Sequence, residues 1–233
     1  MVVLNRLLAG LGPDILERLT PVLQRVELKP REVLQEPNRL IEHVYFIERG
    51  IVSVLARTRR DGPTETAIVG RFGLVGVPVV LGTMRSPQRC VMQIQGEAQR
   101  MHSGELRRAM EEIPALRQQL MNFVHVQMVQ NAQNALCNAR HALASRLPRW
   151  LLLADDLTDG TRIPVTHVLL SAMLGVRRAG ITTTLAALQR EGALRKSRGA
   201  IEIVDRGVLE RHTCECYQII ADEYARLIAP RHG

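Results

Sequence analysis

The chain has 233 residues, 46% of them hydrophobic and 23% charged, with a formal net charge of +8. That apolar content excludes a disordered chain and suffices for two cores, and no apolar run reaches the ~18 residues of a membrane span, so a soluble cytoplasmic protein without a membrane partner is expected. Four cysteines, Cys90, Cys137, Cys214 and Cys216, are too few and too scattered for a disulfide scaffold, and the basic excess, almost all Arg, suits phosphate and the guanine edge without establishing either.

Leu4, Leu7, Leu8, Leu11, Ile15, Leu16, Leu19 and Leu23 recur at helical spacing, with Pro13 as a break. Asp14 and Glu17 follow a short apolar run that lacks a basic leader, which predicts a helix and not a signal peptide. From Val26 to Met101 the pattern is that of short strands. Val44–Ile47, Glu48-Arg49-Gly50 and Ile51–Leu55 predict a hairpin with Gly50 in the reversal. Arg60-Asp61-Gly62-Pro63 predicts a second turn, Thr66–Val69 a strand, Gly70 to Gly82 irregular backbone, and Arg89–Gln95 another strand ending before Gly96. Short strands at regular intervals point to an antiparallel barrel or jelly roll.

A helix is predicted to begin at Ser103-Gly104-Glu105-Leu106, and Ile113-Pro114 to interrupt before a second. From Ala115 to about Ala144 there is no Gly or Pro, roughly 45 Å of helix at the standard rise. Such a helix needs a packing partner, and Gln127, Gln130, Asn131, Gln133, Asn134 and Asn138, interspersed among its apolar residues, suit a two-fold dimer seam in which buried amides fix the register. Packing within one subunit is the alternative. The amphipathic run Arg146–Leu153 opens a third segment, and Asp159-Gly160 predicts a turn.

Pro164–Val176 predicts a helix stopped at Gly175, followed by a second from Arg177 to Glu191 that ends at Gly192, so the pair is a helix-turn-helix. On the second helix Ile181, Leu185 and Leu188 form the core stripe. Ala179, Thr183 and Ala186 lie opposite, flanked by Arg178 and Thr182; small and hydroxylated side chains there fit a major groove and can touch thymine methyls. Arg177 and Arg178 sit in the first turn, beside backbone N–H groups able to hold phosphate. Strands to either side of Arg198-Gly199 make a wing with a basic tip, adding Lys196, Ser197 and Arg198 to the predicted DNA contacts.

In this order of parts the chain resembles the Crp/Fnr transcription regulators over almost its whole length. Val44 to Val54 resembles the family's strand–turn–strand signature, and Leu174-Gly175-Val176-Arg177-Arg178-Ala179-Gly180-Ile181-Thr182 its turn and recognition-helix start. The resemblance implies an α+β fold: a sensor-like antiparallel β-barrel or jelly roll over residues 1–112, a dimerisation helix over 113–144 and a winged helix-turn-helix over 145–233. It also implies a bacterial homodimer on double-stranded DNA, with RNA polymerase as a partner, and makes Arg178 the base-reading Arg. Family members usually carry Glu where this chain has Ala179 and a later Arg where it has Thr183, so its target sequence should differ.

The family's cyclic-nucleotide cassette has a Gly-Glu pair and, about ten residues on, an Arg-Ser or Arg-Thr pair. Here no acidic residue follows Gly70, Gly73 or Gly76, while Arg85-Ser86 and Arg89-Cys90 both compete for the Arg role. Gly73, Gly76, Arg85, Ser86, Arg89 and Cys90 are therefore a candidate ligand pocket, with a small anion as one occupant, a typical cyclic nucleotide not expected, and the effector open.

Neither cofactor nor metal is assigned. The iron–sulfur members have an amino-terminal cysteine cluster, whereas no cysteine here precedes Cys90. Cys214-Glu215-Cys216, if helical, would point its thiols about 200° apart, too far for one metal. Cys137 and His141 share a helix face and, doubled across a dimer seam, would suit zinc, but Leu136 and Leu143 compete for the buried side, so packing is expected. A phosphate loop with Lys, an HExxH and a GxSxG are all missing from the sequence, and no enzyme is predicted. The remaining alternative is a dimeric interaction module, binding a cyclic nucleotide or small anion, that does not read DNA.

Overall fold

The computed structural model describes residues 3–56, 62–158 and 162–228. Of the turn predicted at Arg60-Asp61-Gly62-Pro63 the first two residues fall outside them, and so does the turn predicted at Asp159-Gly160. The amino-terminal leucines form two short helices, α1 (Arg6–Ala9) and α2 (Pro13–Leu19), divided where Pro13 was expected to break the run. Buried Asn5 caps α1 and donates to the carbonyls of Ile47 (2.7 Å) and Gly73 (2.9 Å), fixing this helix to the sheet.

The sheet comprises β1 (Gln24–Leu28), β2 (Val33–Gln35), β3 (His43–Ala56), β4 (Thr64–Val69), β5 (Leu74–Val75) and β6 (Arg89–His102), all its pairings antiparallel. Its main path runs β1-β6-β3-β4, with β2 on β6 and β5 on β3. The jelly-roll character is present, and the described strands leave the path open instead of closing it into a barrel.

The hairpin predicted at Gly50 is not there. Residues 43–56 are one strand, paired with β6 from His43↔His102 to Leu55↔Arg89, and Gly50 lies at a run of register shifts. Its φ of 83° makes a bulge, which bends a strand without reversing it. The strand predicted to end before Gly96 likewise runs through it. A Cβ at Gly96 would stand 1.8 Å from the Arg49 carbonyl oxygen, and one at Gly50 would stand 2.3 Å from that of Ile94. The two glycines let the long strands cross at backbone contact, around the buried Phe46, Ile47, Ile51, Val52 and Met92.

Beyond the sheet's short α3 (Val77–Val80), α4 (Ser103–Glu112) precedes α5 (Pro114–Arg140), whose boundary falls at Ile113-Pro114 as expected. The long helix ends four residues before the predicted Ala144, because His141 adopts an extended backbone (φ −107°, ψ 140°). One face of α5, including Leu116, Leu120, Phe123 and Val126, is buried in the subunit's own core. Two of the amides assigned to a dimer seam are spent within the subunit: Gln130 accepts from the Ile68 N–H at 3.2 Å, and Asn134 donates to the Thr66 carbonyl at 2.6 Å. They cover the backbone of β4, a sheet edge that would otherwise invite foreign strands.

The carboxy-terminal part contains α6 (Leu143–Leu157), β7 (Arg162–Ile163), α7 (His167–Leu174), α8 (Arg178–Arg190), β8 (Leu194–Ser197), β9 (Ala200–Ile203), α9 (Arg206–His212) and α10 (Cys216–Leu227). Arg206 ties α9 to α6 through Asp155 (2.6 Å) and Asp156 (2.7 Å), and α10 returns to pack against α5.

Glu65 of β4 sits fully buried where the sheet meets α6, accepting from the Ser53 hydroxyl and, at 2.9 Å, from the Trp150 indole N–H. Burial pushes its carboxyl up to about 7, although Ser53, Trp150 and Arg149 pull the other way. Below about 4.5 folded and unfolded chains both hold this proton; between about 4.5 and 7 only the fold retains it. Stability should therefore fall as pH rises through that window, by on the order of 3 kcal/mol, and level off above it. Urea denaturation from pH 4.5 to 8 should show this decline in the wild type and lose most of it in Glu65→Gln; equal slopes would refute the assignment.

Candidate nucleic-acid interface

The Thr166 hydroxyl caps α7 by accepting the Leu169 N–H at 3.2 Å. The helix stops where Gly175 enters the left-handed region (φ 63°), a conformation that strains any residue with a Cβ. Arg146 of α6 donates to the Leu174 carbonyl at 2.5 Å, satisfying a helix-end acceptor and bracing the turn against the segment that follows α5. Arg177 then serves as the N-cap residue of α8.

On α8 the stripe Ile181, Leu185 and Leu188 is buried, as its 3.6-residue period requires. Arg178, Ala179, Thr182 and Thr183 are exposed, as is Arg177 just before the helix, while Ala186 is half-buried. Thr182 and Thr183 donate their hydroxyl protons to the Arg178 and Ala179 carbonyls at 3.1 Å each, which holds both oxygens close to the helix. The exposed face is shallow, with a guanidinium at its amino-terminal end.

The wing is a three-stranded sheet in the order β7-β9-β8. Gly199 (φ 76°) makes the turn between β8 and β9, leaving Ser197 and Arg198 exposed and Lys196 half-buried. Val165, Thr166, His167, Arg178, Lys196 and Ser197 line a common cleft of about 210 Å³. Of the predicted residues, Arg178, Lys196 and Ser197 share this cleft, and His167 joins them: its imidazole lies 3.0 Å from the Thr182 hydroxyl. Burial, then Lys196 and Arg178, lower the pKa of His167. A residue one position into α7 carries no sequence signal for this role, since only the packing angle of the two helices brings it to the cleft.

The residues of the predicted ligand pocket each have neighbours of their own. Gly73 lies under the Phe123 ring of α5, where a Cβ would come within 2.7 Å, and Gly76 lies against Val44 at the beginning of β3. Arg89 and Cys90 pair with Leu55 and Val54, ten or so residues further along that strand. Ser86 and Cys90 are buried. Arg85 is exposed and donates to the Asn38 carbonyl at 2.8 Å; Arg89 is ion-paired with Glu36 at 3.2 Å. Arg85 and Ser86 lie in the loop before β6, and Arg89 and Cys90 open that strand.

Residues 145–212 match the family model of the Crp-like helix-turn-helix domain. No curated protein sequence matches the chain. Among solved structures it is similar to FixK2 from Bradyrhizobium japonicum, at 15% identity and a TM-score of 0.72, over 83% of this chain and 98% of that one. A Crp/Fnr-family regulator from Eubacterium rectale gives 14% and 0.64, over 86% and 94%. The c-di-GMP-responsive regulator CLP of Xanthomonas campestris gives 16% and 0.63, over 82% and 99%. At such identities the likeness is one of fold.

Proposed function

We propose that this chain, whose residues 145–212 match the Crp-like helix-turn-helix domain and whose fold is that of FixK2, is a transcription regulator of the Crp/Fnr type, a homodimer whose two copies of α8 read a two-fold site on double-stranded DNA. The observation that carries this reading is the division of α8: a buried aliphatic stripe on one side and, on the other, small and hydroxylated residues headed by Arg178 and flanked by the wing's Lys196 and Ser197. A surface that merely attracts acidic partners has no use for that shallow profile, whereas a helix entering the major groove needs it. Arg178 is the base reader, Ala179, Thr182, Thr183 and Ala186 line the groove-facing side, and Arg177, Lys196, Ser197 and Arg198 hold phosphates.

The dimer seam runs along the solvent side of α5, where Met121, Met128 and Leu136 remain exposed at steps of seven and eight residues, close to two helical turns each. Residues 1–112, 113–144 and 145–233 then act as sensor-like domain, dimer helix and reader, in the cytoplasm, with RNA polymerase as the protein partner at promoters. The effector is not a typical cyclic nucleotide: no carboxylate follows the glycines, the Cβ position of Gly73 is filled by Phe123, and Arg89 is already paired.

Selection of binding sites from random duplex DNA by full-length protein, without added ligand, tests the proposal. A two-fold motif with half-sites about one helical turn (~34–36 Å) apart is expected. Absence of any binding at low salt would refute it, because phosphate attraction alone is strongest there.

A further inference from the structure

Cys214-Glu215-Cys216 was expected to point its thiols apart along a helix. Instead Cys214 lies in the link between α9 and α10, and only Cys216 belongs to α10. The link lets both sulfurs turn the same way, toward the end of α5. There Cys137 and His141 stand one turn apart, with the His141 N–H donating to the Cys137 carbonyl at 3.0 Å. The three sulfurs and an imidazole nitrogen all lie within 4.8 Å of one another. Cys137 Sγ is 3.6 Å from Cys214 Sγ, and Cys216 Sγ is 3.6 Å from His141 Nδ1. Within one subunit, therefore, Cys137 and His141 find their partners in α10 and its preceding link, not across a dimer seam.

We propose that Cys137, His141, Cys214 and Cys216 form a mononuclear zinc site that clamps the end of the long helix α5 to the start of α10. A tetrahedron with Zn–S bonds of about 2.3 Å and a Zn–N bond of about 2.0 Å has edges of about 3.8 Å between sulfurs and about 3.5 Å from sulfur to nitrogen. The two 3.6 Å separations already match such edges. They are far too long for a disulfide, whose sulfurs approach to about 2.05 Å. The whole set is too tight for an iron–sulfur cluster, whose ligands must be spread around several iron atoms. Three thiolates and a neutral imidazole form a closed four-ligand set of the structural kind, with no position left for water.

The surroundings fit the charge that results, −1 for a divalent ion with three thiolates. The guanidiniums of Arg146 and Arg149 reach this stretch of α5, donating to Asn138 and Asn134 to either side of Cys137. Arg149 is itself only 4% exposed, and its Nε lacks a hydrogen-bond partner. Cys137 and Cys216 are fully buried, while Cys214 and His141 are half-exposed and give an ion its way in. On binding, three S–H bonds break, three protons pass to buffer, and His141 contributes the lone pair of Nδ1. His141 is one of the two residues between α5 and α6, so the clamp holds the joint through which the dimer helix meets the reader.

The test uses full-length protein purified under reducing conditions, and DNA enters none of its readings, so they stand or fall apart from the DNA-reading proposal. Elemental analysis should find about one zinc per chain, and cobalt(II) in its place should give the intense visible bands of a tetrahedral thiolate site. Removing the metal should lower Tm by roughly 5–10 °C. Cys214→Ser, at a half-exposed position, should keep the wild-type circular dichroism but retain less than about a fifth of the zinc; His141→Gln should do the same. Wild-type protein with less than about a tenth of an equivalent and no cobalt–thiolate bands would overturn the site, as would undiminished zinc in both variants.

Discussion

Replacing Trp150 with Ala should lower the unfolding free energy by about 3–5 kcal/mol, the range for deleting a large buried aromatic. Trp150 is 3% exposed and stands where α6 meets the sheet, and its indole N–H is one of two donors that hold the Glu65 carboxylate. The substitution opens a cavity in the core and strips a buried acceptor of a partner, and the two losses reinforce each other. Trp150→Phe separates them. It fills most of the volume while leaving Glu65 short of a donor, and should cost about 1–3 kcal/mol near pH 8, where Glu65 is ionised, and less at pH 5, where it holds its own proton. Urea denaturation followed by two probes, one reporting on helix and one on tertiary packing, gives both numbers and shows whether sheet and α6 unfold together. A loss below about 1 kcal/mol for Trp150→Ala would mean that this contact is not part of one cooperative unit.

The contrast between what the sequence revealed and what it concealed follows from how far each signal travels along the chain. The two faces of α8 were legible because Ile181, Leu185 and Leu188 repeat with the helix's own period, and the turn before it because Gly175 marks a left-handed residue. The boundary at Ile113-Pro114 was legible for the same local reason. Gly50 misled: a glycine between two β-branched runs signals a reversal or a bulge equally well, and only the 14-residue partner strand β6 decides for the bulge. The amides of α5 misled in another way. Their place on the helix was correct, but nothing near Gln130 or Asn134 in sequence reveals that the edge of β4, more than sixty residues earlier, needs their hydrogen bonds. The thiol and imidazole cluster was hidden by a helix boundary. With α10 begun two residues earlier, Cys214 and Cys216 would diverge; begun at Cys216, they converge on Cys137 and His141 from 75 to 77 residues away.

Arg178→Ala should weaken binding to the selected DNA site by about 1–3 kcal/mol for each half-site, so by about 2–6 kcal/mol for a dimer on a two-fold sequence. The guanidinium is exposed in the first turn of α8, on the rim of the cleft shared with Lys196 and His167, where a forked donor can reach the O6 and N7 of guanine. The same loss would follow from removing a phosphate contact, so its size alone does not identify a base reader; its distribution does. A base reader's removal relaxes the preference at one position, repeated symmetrically in the other half-site, and leaves binding to unrelated duplex nearly unchanged. Arg177→Ala, just outside the helix, is the contrasting variant: as a phosphate contact it should weaken all sequences alike and reduce the salt dependence of binding. Site selection repeated with both variants, together with salt titrations on specific and random duplexes, separates the patterns. If Arg178→Ala weakens every sequence equally, its place as reader is wrong and recognition rests with Thr182, Thr183 and the thymine methyls they face. Ala179→Glu extends the same logic in the other direction. A carboxylate beside Arg178 accepts a hydrogen bond from cytosine N4, so the variant should shift the preferred base next to the Arg178 position rather than merely bind more weakly.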